Sequence, residues 1–215
     1  AVEGAMNAVA ELVLGLMLSL ARQTARGDRA IRNEQWLKKE LKGTELRGKY
    51  LGIIGLGNIG KRLGRLAHAL NMNIIGYDVV PIDEEFSKEV GLMKADLNTL
   101  LQSSDYVSIH VPLLDSTYHL LDAQKMSTMK KTAKIINTSR GGVVDEDALY
   151  DAIKSGTLGG AALDVFEKEP AIGTKLAELD NVILTPHIGA QTKEAQSLAA
   201  NVIAEKIVQI LRGVI

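Results

Sequence analysis

Cysteine is absent from the 215 residues. That excludes disulfides, thiol nucleophiles and cysteine-ligated metal, and it fits a reducing, cytoplasmic setting. Net charge of either sign is also missing: 25 basic against 26 acidic side chains leave −1, which argues against a whole-domain nucleic-acid footprint. Aromatic side chains are scarce, with 1 Trp, 5 Tyr and 2 Phe. The longest apolar run, Ala8–Ala21, contains Glu11 and covers fourteen residues, short of the roughly 20 that span a bilayer. It has neither a basic front nor a small-residue cleavage pattern, so neither a membrane span nor a signal peptide is expected. A helix apolar nearly all round is instead expected to be buried between domains or subunits.

What is present has the proportions of an ordinary folded domain, with 46% apolar and 24% charged residues. Basic residues gather between Arg22 and Lys49, nine against four acidic ones, so this segment is +5 and the remainder −6. A solvated helical face is the plainer explanation, and attraction of an anionic small molecule the sharper one. From Tyr50 onward, short β-branched runs alternate with helical patterns. Strands are expected at Tyr50–Ile54, Asn73–Tyr77, near Leu92–Lys94, and at Tyr106–Val111, Lys134–Thr138, Ala161–Phe166 and Val182–Thr185. Helices are expected at Ile59–Leu70, Leu97–Gln102, Ala123–Met129, Glu146–Lys154 and Gln191–Leu211. Asp122 and Asp145 stand at N-cap positions, and Gly91, Gly156, Gly213 and Asn71 just past helix ends. This alternation implies right-handed crossovers and a doubly wound parallel α/β sheet of Rossmann type, a single domain with an N-terminal interface helix.

The string Gly55-Leu-Gly57-Asn58-Ile59-Gly60 follows the first expected strand and opens a helix. Glycine triplets alone are weak signals, but this context is the one a dinucleotide needs: a tight turn, close backbone approach to the pyrophosphate, and close helix–strand packing. Asp78 ends the second strand 23 residues after Gly55. A carboxylate there accepts both ribose hydroxyls and repels a 2′-phosphate, which favours NAD over NADP. Other loops at the carboxyl edge carry Ser139-Arg140, Glu169 and His187. Histidine titrates nearest neutral pH and suits removal of a hydroxyl proton. A carboxylate such as Glu169 stabilises the imidazolium and orients the ring, while the planar Arg140 fork suits a 2-oxo carboxylate. No metal is required, and no cluster of metal-ligand spacing is apparent; His68 and His119 read as structural, and His110 as a strand end.

At these residues the sequence resembles the D-2-hydroxyacid dehydrogenases. GLGNIG, HVPL, NTSRGGVVDE, GAALDVFEKEP and LTPHIGAQTKEAQ stand in that family's order and spacing over residues 5–212, most like its members that act on 3-phosphoglycerate. The resemblance implies that His187 is the general acid/base, Glu169 its partner and Arg140 the substrate-binding arginine. It further implies that Asn58 and Ile59 meet the pyrophosphate and Asp78 the ribose. Val111, Pro112, Thr138, Ser139 and Asp164 then line the adenosine or nicotinamide pocket, Asp164 near the carboxamide. Arg140, His187, Gly189 and Ala190 face the cofactor too. The implied reaction is NAD-dependent oxidation of a D-2-hydroxy acid, 3-phospho-D-glycerate in L-serine biosynthesis, by a cytoplasmic homodimer or tetramer without nucleic-acid or membrane partners. Glycerate, hydroxypyruvate or lactate as substrate, or an NAD-sensing corepressor, are the alternatives.

Residues 1–49 are expected to form a helix and basic arm, carrying Trp36, that packs on the domain and a dimer partner. Residues 50–190 then form the NAD-binding domain and 191–215 a C-terminal helix. The resemblance also implies a substrate domain ahead of this segment. With its start at Ala1-Val2-Glu3, lacking Met, the chain is expected to be a piece that binds NAD and turns over poorly alone. Asn71 and His119 depart from the family at places where Gly is common.

Overall fold

The computed structural model describes residues 2–211. The seven strands are β1 (Tyr50–Ile54), β2 (Asn73–Tyr77), β3 (Met93–Lys94), β4 (Tyr106–Ile109), β5 (Lys134–Asn137), β6 (Gly160–Leu163) and β7 (Val182–Leu184). They form one parallel sheet in the order β3-β2-β1-β4-β5-β6-β7. The order reverses between β1 and β4, and the crevice at the carboxyl ends of those strands is where such sheets bind ligands. The helices are α1 (Val2–Arg22), α2 (Thr24–Arg32), α3 (Asn58–Ala69), α4 (Glu84–Glu89), α5 (Leu97–Ser103), α6 (Ala123–Ser127), α7 (Glu146–Lys154) and α8 (Lys193–Leu211), with a 3₁₀ turn at Lys175–Glu178.

Strands buried on both faces read as apolar runs, which is why Tyr50–Ile54 and the Ile135–Ile136 centre of Lys134–Asn137 stand out in the sequence. Leu51 and Ile53 belong to the core shared with α1 and α3, whereas Ile54 joins the opposite core with Leu100 and Leu101 of α5. Asp122 and Asp145 cap α6 and α7, accepting from Lys125 and Ala148 N–H at 2.8 and 2.9 Å. Asp83 and Asp96 cap α4 and α5 in the same way, unforeseen from the sequence. Asn71, Gly91 and Gly156 hold left-handed backbone at φ 58, 60 and 76°; Gly213 lies outside the described residues.

α1 differs from its expectation. The helix runs 21 residues, and by length and composition Ala5–Arg22 is long and apolar enough to cross a membrane, more than the fourteen-residue run implies. What places the helix is packing. Val9, Val13, Leu16, Met17 and Leu20 are buried in the core with Leu51, Ile53 and Leu63. Each such side chain gains about 1.5–3 kcal/mol from burial. Burial is nevertheless not all round, since Glu11, Gly15 and Leu18 face outward. The basic segment is partly neutralised within the chain: Arg26 and Arg29 pair with Asp180, and Arg32 with Asp28.

Candidate active site

The glycine turn separates what the fold requires from what a ligand requires. A Cβ on Gly55 would stand 2.8 Å from the His110 carbonyl oxygen, and one on Gly60 would stand 2.1 Å from that of Gly55. Both glycines are therefore demanded by the chain's own packing. Gly57 is not, because a Cβ there would meet nothing within 4 Å. Gly57 is also the N-cap of α3 and offers no side-chain acceptor. The amides at the start of α3 thus face open space, and with the helix dipole they form a ready anion site. Asn58 is exposed there and Ile59 half-buried.

Asp78 is fixed beside this turn. Its Oδ2 accepts the Leu56 N–H at 2.7 Å and its Oδ1 the Val80 N–H at 3.1 Å. A groove of about 470 Å³ opens against it, walled by Val80, Pro81, Ile82 and Ala95. Across the switch point, the Val111 side chain lies against Gly55, and Pro112 is exposed. At the end of β5, Thr138 is buried, and among the described residues its hydroxyl has no hydrogen-bond partner. A buried hydroxyl left unpaired is costly, and a ligand's polar group arriving at this carboxyl edge can satisfy it.

Glu169 and His187 meet at the same edge. His187 Nδ1 donates to Glu169 Oε2 at 2.9 Å, and the Phe166 N–H donates to Glu169 Oε1 at 3.2 Å. The hydrogen bond from His187 comes first among the causes that hold the Glu169 carboxyl below its ordinary value, with the Phe166 amide and the Arg140 charge adding to it. With Nδ1 engaged, His187 Nε2 is the nitrogen left for chemistry. A cavity of about 660 Å³ lies beside the pair, with Pro170, Ile172, Leu184 and Pro186 in its wall.

Two supporting side chains went unnoticed in the sequence. Asn137, 2% exposed at the end of β5, accepts from Ser139 N–H and Oγ and donates to the Arg140 carbonyl at 2.9 Å, which shapes the turn carrying Arg140. Its signal was a polar residue ending an otherwise apolar strand. Thr185 Oγ1 donates to Asp164 Oδ1 at 2.6 Å. Asp164 has no exposed surface and also accepts the Ile188 and Gly189 N–H groups at 2.9 and 2.8 Å. Its carboxylate therefore acts on the loop that holds His187, whose own backbone is left-handed at φ 54°. Gly189 is buried there and Ala190 exposed.

The remaining histidines are unlike one another. His68 is exposed on α3. His110 bonds Ser108 Oγ at 2.9 Å, and burial pushes its pKa down to about 4. His119, Asp145 and Glu167 come together with ligand atoms within 4.8 Å of one another, a cluster that their separation in sequence concealed. Each ring nitrogen of His119 faces a carboxylate: Nε2 lies 3.1 Å from Glu167 and Nδ1 3.6 Å from Asp145. That arrangement suits a hydrogen-bonding imidazole better than a metal ligand, which must leave one nitrogen bare. Trp36 is 78% exposed.

An uncapped helix start, a carboxylate fixed beside the glycine turn and a histidine–carboxylate pair on one sheet edge have the layout of a dinucleotide-binding domain. Residues 14–189 match the family model for the D-isomer specific 2-hydroxyacid dehydrogenase, NAD binding domain, and the chain belongs to this family. It is 47% identical over 206 residues to D-3-phosphoglycerate dehydrogenase of Methanocaldococcus jannaschii, covering 95% of this chain and 39% of that protein. It is also 47% identical over 202 residues to hydroxypyruvate reductase of Thermotoga maritima, covering 93% of this chain and 65% of that protein. The crystal structure of D-lactate dehydrogenase from Aquifex aeolicus complexed with NAD and lactic acid superposes with a TM-score of 0.88 at 34% identity, over 96% of this chain and 66% of that one. The chain thus spans between about two fifths and two thirds of these relatives. The cofactor is NAD, and the open Gly57 face, the uncapped α3 start, Asp78 and the Thr138 hydroxyl fit it.

Proposed function

We propose that this chain is the cofactor-binding part of a dehydrogenase that oxidises 3-phospho-D-glycerate to 3-phosphohydroxypyruvate, with His187, Glu169 and Arg140 as its catalytic residues. The observation that carries this reading is the 2.9 Å His187–Glu169 pair on the edge that also holds the glycine turn and Asp78. Bound NAD supplies the acceptor for the hydride that leaves C2 of the substrate. His187 Nε2 takes the proton from the C2 hydroxyl as the C–H bond breaks and the carbonyl forms. Glu169 holds the ring by Nδ1 and stabilises the imidazolium so produced. Arg140 is exposed and its charge reaches Glu169; its Nη1 donates to the Ser139 carbonyl at 2.6 Å, so the guanidinium has to turn outward to hold the substrate carboxylate.

The choice of substrate is supported by the 42–47% identity to D-3-phosphoglycerate dehydrogenases of Methanocaldococcus jannaschii and Synechocystis. The hydroxypyruvate reductase likeness makes glycerate the competing substrate. The same reading assigns the protein to L-serine biosynthesis in the cytoplasm, as a homodimer that covers the exposed Leu18, Ile31 and Trp36. A turnover panel on the full-length protein with phosphoglycerate, glycerate and lactate, followed by NADH absorbance, decides the substrate. His187→Ala is expected to lower kcat about 10²–10⁴-fold with NAD affinity retained. Undiminished turnover in that variant would end the assignment.

A further inference from the structure

Resting on the dehydrogenase reading, we propose that His119 is a positioning residue that locks the loop carrying Arg140 to the loop carrying Glu169. Its backbone N–H donates to the Gly142 carbonyl at 2.7 Å, two residues past Arg140. Its Nε2 donates to Glu167 Oε1 at 3.1 Å, two residues before Glu169. One residue thus grips both loops, by main chain on one side and by side chain on the other.

The far end of the grip is itself anchored. The Glu167 N–H donates to Glu146 Oε1 at 2.6 Å, and the Glu146 N–H donates back to Glu167 Oε1 at 3.1 Å. This reciprocal pair pins the Glu167 carboxylate to the start of α7. The Phe166 N–H, on the same turn, holds Glu169 toward His187. The two loops also touch directly: a Cβ on Gly141 would fall 1.8 Å from the Phe166 carbonyl oxygen. On the other side of the ring, Tyr118 stacks on His119 with centroids 4.0 Å apart and planes at 15°.

The backbone shows that the ring is retained against a local cost. His119 sits at φ 45°, a left-handed conformation that glycine adopts freely and that costs other residues, histidine less than most. Among the described residues, His119 is also the one basic side chain paired with Asp145 or Glu167. Its ring therefore adds a contact that spans Asp145 and Glu167 to the backbone pair that already joins Glu167 to Glu146.

Under this proposal the separation of Arg140 from the Glu169–His187 pair depends on His119. That separation decides whether a substrate held by its carboxylate presents its hydroxyl to His187 Nε2. Displacement by about 1 Å costs on the order of 100-fold in rate. His119→Gly deletes the ring while easing the backbone, so the fold is expected to survive. In the full-length protein, this variant should lose about 10- to 100-fold in kcat, raise KM for the hydroxy acid, and keep its NAD dissociation constant within about twofold. His119→Gln, whose amide can donate toward Glu167 in place of Nε2, should recover most of the rate.

Wild-type kinetics in His119→Gly would overturn the proposal. So would a parallel collapse of NAD binding and melting temperature, which is the pattern of a merely structural residue. Hydrogen exchange separates this proposal from the dehydrogenase reading. If the wild type oxidises no 2-hydroxy acid, that reading fails. The lock is then still judged by the amides of Phe166–Glu169, expected to exchange about tenfold faster in His119→Gly. The amides of the glycine turn should be unchanged. Equal exchange of Phe166–Glu169 in both proteins would refute the lock.

Discussion

The buried carboxylate of Asp164 accepts the Gly189 amide at 2.8 Å and thereby ties the end of β6 to the loop that presents His187. Thr185 and Ile188 complete the attachment on its other oxygen, at 2.6 and 2.9 Å. Three donors converge on one carboxylate with no exposed surface, so exchanging it for an amide sets an N–H₂ group against N–H donors. Asp164→Asn is expected to lower the unfolding free energy by about 2–3 kcal/mol. Urea denaturation measures this, and Thr185→Val, which removes one donor, should lose about 1 kcal/mol.

Asp78 has a structural contact that its place in the sequence does not show. Spacing from Gly55 marked it as the ribose reader, but its Oδ2 also holds the Leu56 amide inside the glycine turn. Asp78→Ala should therefore weaken NAD binding by about tenfold or more, through a lost ribose acceptor and a loosened turn. NADP should lose less, because the carboxylate that repels its 2′-phosphate has gone. The ratio of the two dissociation constants, measured by fluorescence titration, is the relevant quantity. An unchanged ratio would contradict ribose reading by Asp78.

Sequence and structure agree where the determinants are local. The glycine turn, Asp78, the N-caps Asp122 and Asp145, and the left-handed Asn71 depend on spacing along the chain, and each stands where its spacing implied. Expected strand ends ran too long at the carboxyl edge. β4 stops at Ile109 ahead of Pro112, which has no N–H to extend a ladder, and β5 stops where the Asn137 side chain turns back on the Ser139–Arg140 backbone. α4 and the 3₁₀ turn, at 6 and 4 residues, were too short and polar to leave a periodic trace. The His119–Asp145–Glu167 cluster was invisible for another reason. Its members lie on three segments that only the folded sheet edge brings together.

His110 makes stability depend on pH. Burial lowers its folded pKa from 6.5 to about 4, so the neutral ring is favoured in the native state. Between those values the unfolded chain binds a proton that the native state refuses, and stability therefore falls as pH drops through this window. It is complete above about pH 6.5 and levels off below about pH 4. At 1.36 kcal/mol per pH unit, the contribution is on the order of 3 kcal/mol. Urea midpoints measured from pH 7 to pH 4 should show this slope, and His110→Gln should flatten it.

The contrast between Gly57 and Gly60 isolates ligand recognition from folding. Alanine at position 60 would put its methyl 2.1 Å from the Gly55 carbonyl oxygen, which the turn cannot absorb without moving β1 away from α3. Gly60→Ala should therefore destabilise the domain by about 2 kcal/mol or more, and lose NAD as a consequence. Alanine at position 57 meets nothing within 4 Å, and its backbone, at φ −70° and ψ −162°, is one that any residue adopts. The methyl would project into the open space before the α3 amides, where the pyrophosphate must approach. Gly57→Ala should keep its melting temperature within about 2 °C while NAD affinity falls about tenfold or more. Calorimetric titration alongside thermal melts tests the pair. NAD binding of undiminished strength in Gly57→Ala would mean that the dinucleotide does not lie against this helix start.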